Sequence, residues 1–385
     1  MTGTAAHRVV SDGELNRATC ARQLLTEPSF LEPVPAIRQL LALQGQEPAS
    51  PYLALWTRLA DFDPAVLDEA LATGAVVKGT LMRMTLHVVA AQDYPAFWAA
   101  HAGPFRRARA QTTRVGEGGI APERLAEVIE IALSFADQPR SNAEMTQHLH
   151  EVAGQVGEMG WWWAVRGCAP VTHVPTDGPW SFGYRPYFAA ARVRMPWSEP
   201  TPEDGLDEVV GRYLAAFGPA TIVDIAQFTK LARSMVRESV QRQESGLVQF
   251  RNSAGSVLYD IPGAPIPEAD FPVPVRFLPM WDSVLLAYGD RSRVIPADVR
   301  RRVIRTNGDV LPTFLVDGRV AGIWRAEIVG GRTVIRWKPF SRLAKSVAVE
   351  VEMQAQALAA FVEPREPEVY RRYARWWIAD EAVSA

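Results

Sequence analysis

The first ninety residues show apolar runs at helical spacing, separated by short breaks. Over residues 12–26 apolar side chains recur every three to four positions, which predicts an amphipathic helix. A second run, over residues 33–43, is interpreted as a helix that ends at Gln44-Gly45-Gln46, where glycine takes positive φ. Ser50 is the predicted cap of a third helix, and residues 63–74 form a fourth.

A strand-like pattern follows at residues 76–89, where apolar and polar side chains alternate. The apolar positions face one way and are Met82, Met84, Leu86 and Val88. The polar positions Arg83, Thr85 and His87 share the other face. Helices followed by such a ribbon are typical of a winged helix.

The same order of elements recurs twice. A second copy has predicted helices at residues 121–135 and, after the cap Ser141, 142–150, followed by three tryptophans and extended chain. In a third copy Arg233 and Arg237 lie on the predicted recognition helix, and residues 247–260 form the hairpin, or wing.

A proline-dense linker at residues 262–274 separates these copies from a C-terminal region with repeated turn signals. We expect a β-rich domain there, ending in a helix that carries Tyr370, Tyr373, Trp376 and Trp377. The predicted fold class is α+β, with four domains: winged helices at 1–115, 116–200 and 201–262, and the β-rich domain at 263–385.

Composition narrows the classes of protein. The 385 residues are 48% hydrophobic and 22% charged, which suits several folded units. No apolar run has membrane-spanning length, and the first eight residues lack an apolar signal core. The two cysteines form no framework, so a reducing cytoplasm is expected. The six histidines have no metal-ligand spacing, and neither a metal nor another cofactor is expected.

The net charge of −2 does not by itself indicate a nucleic-acid partner. Its distribution is more informative, because only four of the 41 basic residues are lysine and the arginines are clustered. One cluster is Arg106-Arg107-Ala108-Arg109. Arginine abundance fits either a coding bias or contact with phosphates, and composition does not separate the two.

The sequence resembles the bacterial AlkZ-like family of winged-helix DNA glycosylases. Four segments across nearly the whole chain carry the resemblance: LQGQEP with PYLALW (43–56), LMRMTLH (81–87), LPMWDSVLLAY (278–288) and VLPTFLVDGRVAG (310–322). The resemblance implies three tandem winged helices that form a C-shaped channel for DNA, plus a β-barrel-like C-terminal domain.

The catalytic signature of that family, glutamine–aliphatic–glutamine or aspartate, falls on Gln44 and Gln46. Its middle residue is Gly45 here, which we expect to leave room beside a bulky adduct. The supporting or DNA-contacting candidates are Arg83, Thr85, His87, Arg233, Arg237, Asp282 and Arg319. Each candidate also has a plainer interpretation. Arg83, Thr85 and His87 would then form an ordinary solvated strand face, and Arg233 and Arg237 would contact phosphates without reading a groove. Asp282 would cap a helix or turn, and Arg319 would belong to a plain β-turn.

The resemblance implies a monofunctional DNA glycosylase for N7-alkylated guanine, with bulky or crosslinking natural-product adducts as expected substrates and a role in self-resistance. Such a base is already cationic and leaves as a neutral molecule, so an amide that positions water suffices where most glycosidases need two carboxylates. The expected partner is double-stranded DNA carrying alkylated purines, bound by a monomer. The alternative is a winged-helix DNA-binding regulator.

Overall fold

The computed structural model describes residues 8–112, 114, 119–183 and 185–377. The predicted boundary between residues 115 and 116 and the N-terminal segment through residue 7 lie outside the described residues. Within the described chain, no helix is both long and apolar enough to cross a membrane.

Four helices and one short strand precede the first hairpin: α1 Asp12–Arg22, α2 Pro33–Gln39, β2 Leu43–Gln44, α3 Ala49–Trp56 and α4 Pro64–Thr73. A further strand, β1 Val9–Val10, begins the described chain. Local chemistry explains the clearest ends. The Asp63 side chain accepts a hydrogen bond from the Ala65 amide, and Gly74 stops α4 at φ 80°.

The predicted helix end at Gln44-Gly45-Gln46 is wrong. Helix α2 ends at Gln39, Leu41 leaves the helical path with φ 73°, and Gln44 belongs to strand β2. Residues 40–43 are all buried, and a fully buried apolar run reads equally well as helix or as short strand.

The predicted cap of the third helix is also wrong. Pro48 holds the cap position of α3, and Ser50 lies inside the helix. Its hydroxyl is 2.8 Å from the hydroxyl of Tyr370. The Ser50 side chain therefore forms a hydrogen bond with a distant tyrosine and does not cap the helix.

The ribbon at residues 76–89 is a hairpin of β3 Val76–Leu81 and β4 Thr85–Ala90. A single 3₁₀ turn at Met82–Met84 joins them, with Arg83 at φ 58° and Met84 at φ 55°. The continuous alternation predicted from Met82 to Val88 therefore breaks at the turn. The polar group nevertheless stays together, since Arg83 folds back toward β4.

Strands from the first two predicted units form one six-stranded sheet in the order β2-β4-β3-β6-β7-β5. The intervening elements are α5 Tyr94–Ala110, α6 Pro122–Phe135, β5 Arg140–Ser141, α7 Asn142–Ala153, α8 Gly160–Val165, β6 Val171–Val174, β7 Tyr187–Ala190 and α9 Ala191–Arg194. Ser141 caps α7 with a capping box, as predicted. The extended chain predicted to residue 178 is strand only to Val174.

The third predicted unit contains the expected helices and hairpin: α10 Pro202–Phe217, α11 Ile222–Thr229, α12 Arg233–Arg242, β8 Val248–Asn252 and β9 Val257–Asp260. Strand β1 adds to this hairpin in parallel with β8. Strand β1 therefore belongs spatially to the third unit.

The C-terminal region has the elements β10 Arg276–Leu278, α13 Arg300–Val303, β11 Thr313–Val316, β12 Arg319–Val329, β13 Arg332–Pro339 and α14 Lys345–Val362. The four strands pair in sequence order and leave β10 and β13 as open edges, so the barrel expectation is wrong. The long helix is α14, whereas the aromatic stretch begins with one 3₁₀ turn, Arg371–Tyr373.

Strands β2, β3 and β4 separate two apolar cores. Leu43 and Val88 face one core, while Val77 and Val89 face the other. Consecutive strand residues alternate between faces, so each polar side chain on β2 and β4 has a fixed side of the sheet.

Candidate active site

The side chain of Gln44 lies inside the protein with 5% of its surface exposed. Strand β2 pairs antiparallel with β4 and places Gln44 directly opposite His87. Directly opposed residues project from the same face, which brings the two side chains together. The register of the short strand β2 on β4 therefore determines that Gln44 and His87 are neighbours.

Arg83 connects this pair. Its Nη2 donates to Gln44 Oε1 at 2.6 Å and lies 3.1 Å from His87 Nε2. Its Nη1 donates to the carbonyl of Phe228 at 3.2 Å, and the guanidinium lies 4.7 Å from the centre of that ring. The turn of the first hairpin is thereby fastened to α11.

These contacts fix the protonation state of His87. A guanidinium has no acceptor, so His87 Nε2 must accept from Arg83, and the ring proton is on Nδ1. That proton points at the carbonyl of Thr85, 3.0 Å away. Burial lowers the pKa of His87 well below its usual value, and the charge of Arg83 lowers it further. His87 is neutral at physiological pH.

Arg83 itself stays charged. Burial lowers its pKa to about 10, with a smaller contribution from the charge of Arg291. A pKa near 10 leaves the group protonated at pH 7. Arg83 is therefore a permanent donor behind Gln44.

The Gln44 carboxamide consequently has one orientation, because only its oxygen can face Arg83. Its amide nitrogen has no hydrogen-bond partner among the described residues. Gln44 presents a donor, polarised by a cation.

Gln46 is exposed and lies in a different place. It lines a groove of about 250 Å³ together with the hairpin residue Thr85 and two arginines, Arg109 and Arg166. The Thr85 hydroxyl donates to the carbonyl of Met82 at 3.1 Å. Of the two glutamines, only Gln46 reaches this groove.

Gly45 does not have the role predicted for it. It is buried, and a Cβ there would lie 3.4 Å from Val88 Cγ2 on β4, an ordinary contact. Its φ is not in the left-handed region. A side chain at position 45 would therefore point into the packing against β4. The absence of a side chain at Gly45 does not create the space beside an adduct that was expected from the sequence.

The neighbouring carboxylate, Glu47, is already paired. It is 8% exposed, and it accepts from the hydroxyl of Tyr373 at 2.9 Å and from the guanidinium of Arg372. The C-terminal aromatic segment thus holds the residue after Gln46. A carboxylate with two donors is poorly suited to act as a general base.

Asp282 lies near Gln44, since both line one small internal cavity. Both of its oxygens bind Arg58 at 2.9 Å, and both side chains are buried. Asp282 also accepts from the Val284 amide and so caps a 3₁₀ turn. The cap reading made from the sequence agrees with this geometry, and Asp282 stabilises the wall behind Gln44.

The Asp317-Gly318 turn packs against α1. Asn16 donates to the carbonyl of Gly318 at 2.9 Å, and Arg17 pairs with Asp317 at 2.6 Å. Arg319 Nη1 donates to the carbonyl of Ser292 at 3.0 Å. This turn is occupied by intramolecular contacts, and a role of Arg319 on DNA stays a prediction.

Arg233 and Arg237 are one helical turn apart on the exposed face of α12. Neither has an ion-pair partner among the described residues. They do not join the cluster of Gln44, Arg83 and His87. Their use on phosphates also stays a prediction.

Sequence reasoning missed four participants. Phe228 and Tyr373 are 145 and 326 residues from their partners, and no local signal marks them. Arg109 belongs to a cluster that was visible but could not be placed. Glu47 lies inside the segment that carries the resemblance. Among the described residues, no group of three or more histidine, cysteine or acidic side chains is placed to hold a metal.

The family profile described as DNA glycosylase AlkZ-like matches residues 37–361, and the chain belongs to this family. The interstrand DNA cross-link repair glycosylase of Streptomyces sahachiroi is 24% identical over 357 residues, covering 88% of this chain and 92% of that protein. The solved structure of S. sahachiroi DNA glycosylase AlkZ superposes with a TM-score of 0.75 at 21% identity, covering 93% of this chain and 99% of the other.

The resemblance inferred from the sequence is thereby confirmed, and the α+β fold is shared with a solved structure. The match to a glycosylase family does not favour the alternative of a transcriptional regulator.

Proposed function

We propose that this chain is a monofunctional DNA glycosylase that hydrolyses the N-glycosidic bond of N7-alkylated guanine in duplex DNA. The observation that carries the proposal is that two neighbouring glutamines have different surroundings. Gln44 is fixed from behind by Arg83, and Gln46 is exposed on a groove in which no described lining residue is acidic.

The chemistry follows from the leaving group. An N7-alkylated guanine carries a positive charge and departs as a neutral base, so no acid is needed to protonate it. Gln46 Oε1 accepts a hydrogen bond from the attacking water and holds it against C1′ of the sugar. The partial negative charge of that oxygen also stabilises the oxocarbenium-like transition state. Because glutamine is not a base at neutral pH, unmodified guanine is left intact.

Gln44 has a complementary role. Its buried side chain does not reach the DNA; held by Arg83, it fixes strand β2 and with it the position from which Gln46 is presented. Arg83 and His87 act through Gln44 and are positioning residues. Asp282 supports the same wall through Arg58.

The architecture we propose is three tandem winged helices around a C-shaped channel. Arg233 and Arg237 contact phosphates from the third unit, and Arg319 supports the channel wall. The relative's name refers to interstrand crosslinks, which favours bulky or crosslinking adducts as substrates here too.

The monofunctional assignment has a separate basis. A glycosylase that also cleaves the strand through a Schiff base needs an amine nucleophile. No lysine is found among the described residues that line the groove. The product is therefore an intact abasic strand.

The test uses duplex DNA that carries N7-methylguanine at one position. Free base is measured by chromatography, and abasic sites are measured by strand cleavage with and without alkali. Wild type is expected to release base and leave alkali-labile strands, and Gln46→Ala to release base about 100-fold more slowly, the loss typical of removing one positioned polar group. Gln147→Ala on the exposed face of α7 is the matched control.

No release by wild type would overturn the proposal. Equal rates for wild type and Gln46→Ala would overturn the assignment of Gln46. Strand cleavage without alkali would overturn the monofunctional assignment alone.

A further inference from the structure

The groove beside Gln46 contains two guanidinium groups without an anionic partner. Arg109 lies in the last turn of α5, and Arg166 follows α8. No described carboxylate forms an ion pair with either one. By contrast, the buried guanidiniums of Arg22 and Arg58 each bind an aspartate. Unpaired arginines in a concave surface are suited to an external anion.

Arg109 is held in place before any ligand arrives. Its guanidinium lies 4.2 Å from the centre of the Trp163 ring. A Cβ at position 167 would lie only 2.7 Å from Arg109 Nη2, so Gly167 is the residue that admits the group. The φ of Gly167 is not positive, so the glycine contributes space for the guanidinium and not an unusual backbone conformation.

The two charges also oppose each other. Burial lowers the pKa of Arg109, and the charge of Arg166 lowers it further. The Arg109 Nε is buried and lacks a hydrogen-bond partner. An arrangement of like charges with unused donors is stabilised when an anion binds between them.

We propose that Arg109 and Arg166 bind a phosphate of the DNA strand whose sugar lies against Gln46. The ligand class rests on the proposed function, and the site itself rests on the geometry of the groove. Since phosphate contacts fix register and orientation on a duplex, this pair sets which sugar faces Gln46.

The test measures binding of the full-length chain to an undamaged duplex over a series of salt concentrations. Arg109→Gln and Arg166→Gln are each expected to reduce the slope of log affinity against log salt by about 1, and the double variant by about 2. Arg107→Gln is the control, because Arg107 is on the same helix and does not line this groove. Equal losses in the control would overturn the proposal.

Gly167→Ala tests position without changing charge. The new methyl group shifts the Arg109 guanidinium, which keeps its charge, so the slope is expected to fall, but by less than in Arg109→Gln. Melting curves verify that the variant is folded. An unchanged slope in folded Gly167→Ala would overturn the assigned position of Arg109.

Binding is measured without base release, so the two proposals fail separately. Wild type that binds with the expected slopes and releases no base contradicts only the glycosylase proposal. Wild type that releases base while both arginine variants keep the wild-type slope contradicts only the phosphate site.

Discussion

The Arg83 cluster beside Gln44 and the arginine pair in the groove beside Gln46 differ in what their donors find inside the protein. Arg83 meets three internal acceptors: Gln44 Oε1, His87 Nε2 and the carbonyl of Phe228. Arg109 and Arg166 meet none among the described residues. A guanidinium whose donors are satisfied internally stabilises a fixed geometry, whereas one without acceptors is available for a ligand. The Arg83 cluster therefore fixes the geometry of the site, and the groove pair is the one that we propose binds DNA.

The largest effect is expected from Arg83→Met, which removes the centre of the satisfied cluster. Three acceptors lose their donor, at about 1 kcal/mol or more each, so the free energy of unfolding is expected to fall by about 3 kcal/mol. Base release is expected to fall at least as far as in Gln46→Ala, about 100-fold, because Gln44 loses its orientation. Denaturant unfolding and single-turnover kinetics measure the two effects.

Arg83→Lys keeps the charge and loses the planar fork. We expect it to recover part of the stability and little of the base release. Full recovery of both stability and base release would show that only the charge of Arg83 matters. It would contradict the conclusion that the planar hydrogen-bond geometry of Arg83 fixes the site.

A second prediction uses the buried histidines. The pKa values of His87, His101 and His173 are all lowered by burial. The unfolded chain therefore binds more protons than the folded chain below pH 6.5, and stability present above that pH is lost as the pH falls. Each histidine contributes up to about 1.4 kcal/mol per pH unit.

Unfolding free energies between pH 5 and pH 7 check this dependence. His87→Asn is expected to have a shallower slope than wild type. Parallel profiles would contradict the neutral buried state of His87.

A smaller effect is expected from the double variant Arg233→Gln with Arg237→Gln. Among the described residues these arginines lack an ion-pair partner, like the groove pair, but they are exposed on α12 away from Gln46. We expect the salt slope to fall by up to about 2 and base release from bound substrate to stay unchanged. Slower base release by this double variant at saturating enzyme would show that Arg233 and Arg237 also position the bound DNA.

The smallest effect is expected at Gly45. The Cβ of Gly45→Ala makes an ordinary contact with Val88, so stability is expected to change by less than about 0.5 kcal/mol. Gly45→Val adds atoms against β4 and is expected to cost about 1–3 kcal/mol. It should slow release of methylguanine and of a bulky adduct equally. A selective loss for the bulky adduct would restore the role expected from the sequence.

Sequence reasoning was most accurate where local chemistry decides the structure. Asp63 begins α4 and Ser141 caps α7 where the sequence predicted, because a side-chain oxygen meets an amide two or three residues on. It was wrong at Gln44, whose strand exists only because β4 pairs with it. Pairing between segments more than forty residues apart leaves no trace in local periodicity.

The site was predicted in part for the same reason. Arg83 and His87 were grouped by an alternation that the turn at Met82–Met84 interrupts, and they meet through backbone with positive φ. Phe228 could not be found, because its carbonyl reaches Arg83 across the packing of α11 on the hairpin turn. The sequence of residues 43–48 identified the two glutamines, but it did not predict that Gln44 is buried and Gln46 is exposed.

Helix α1 has a consequence for synthesis. Arg17 pairs with a residue 300 positions later and Arg22 with one 238 positions later. At translation rates of roughly 5–20 residues per second, α1 leaves the ribosome tens of seconds before either aspartate exists. During that time two arginines destined for burial have no counterion, and β1 has no neighbouring strand. We therefore expect α1 and β1 to stay solvated or held by a chaperone until the last third of the polypeptide is made and pairs with them.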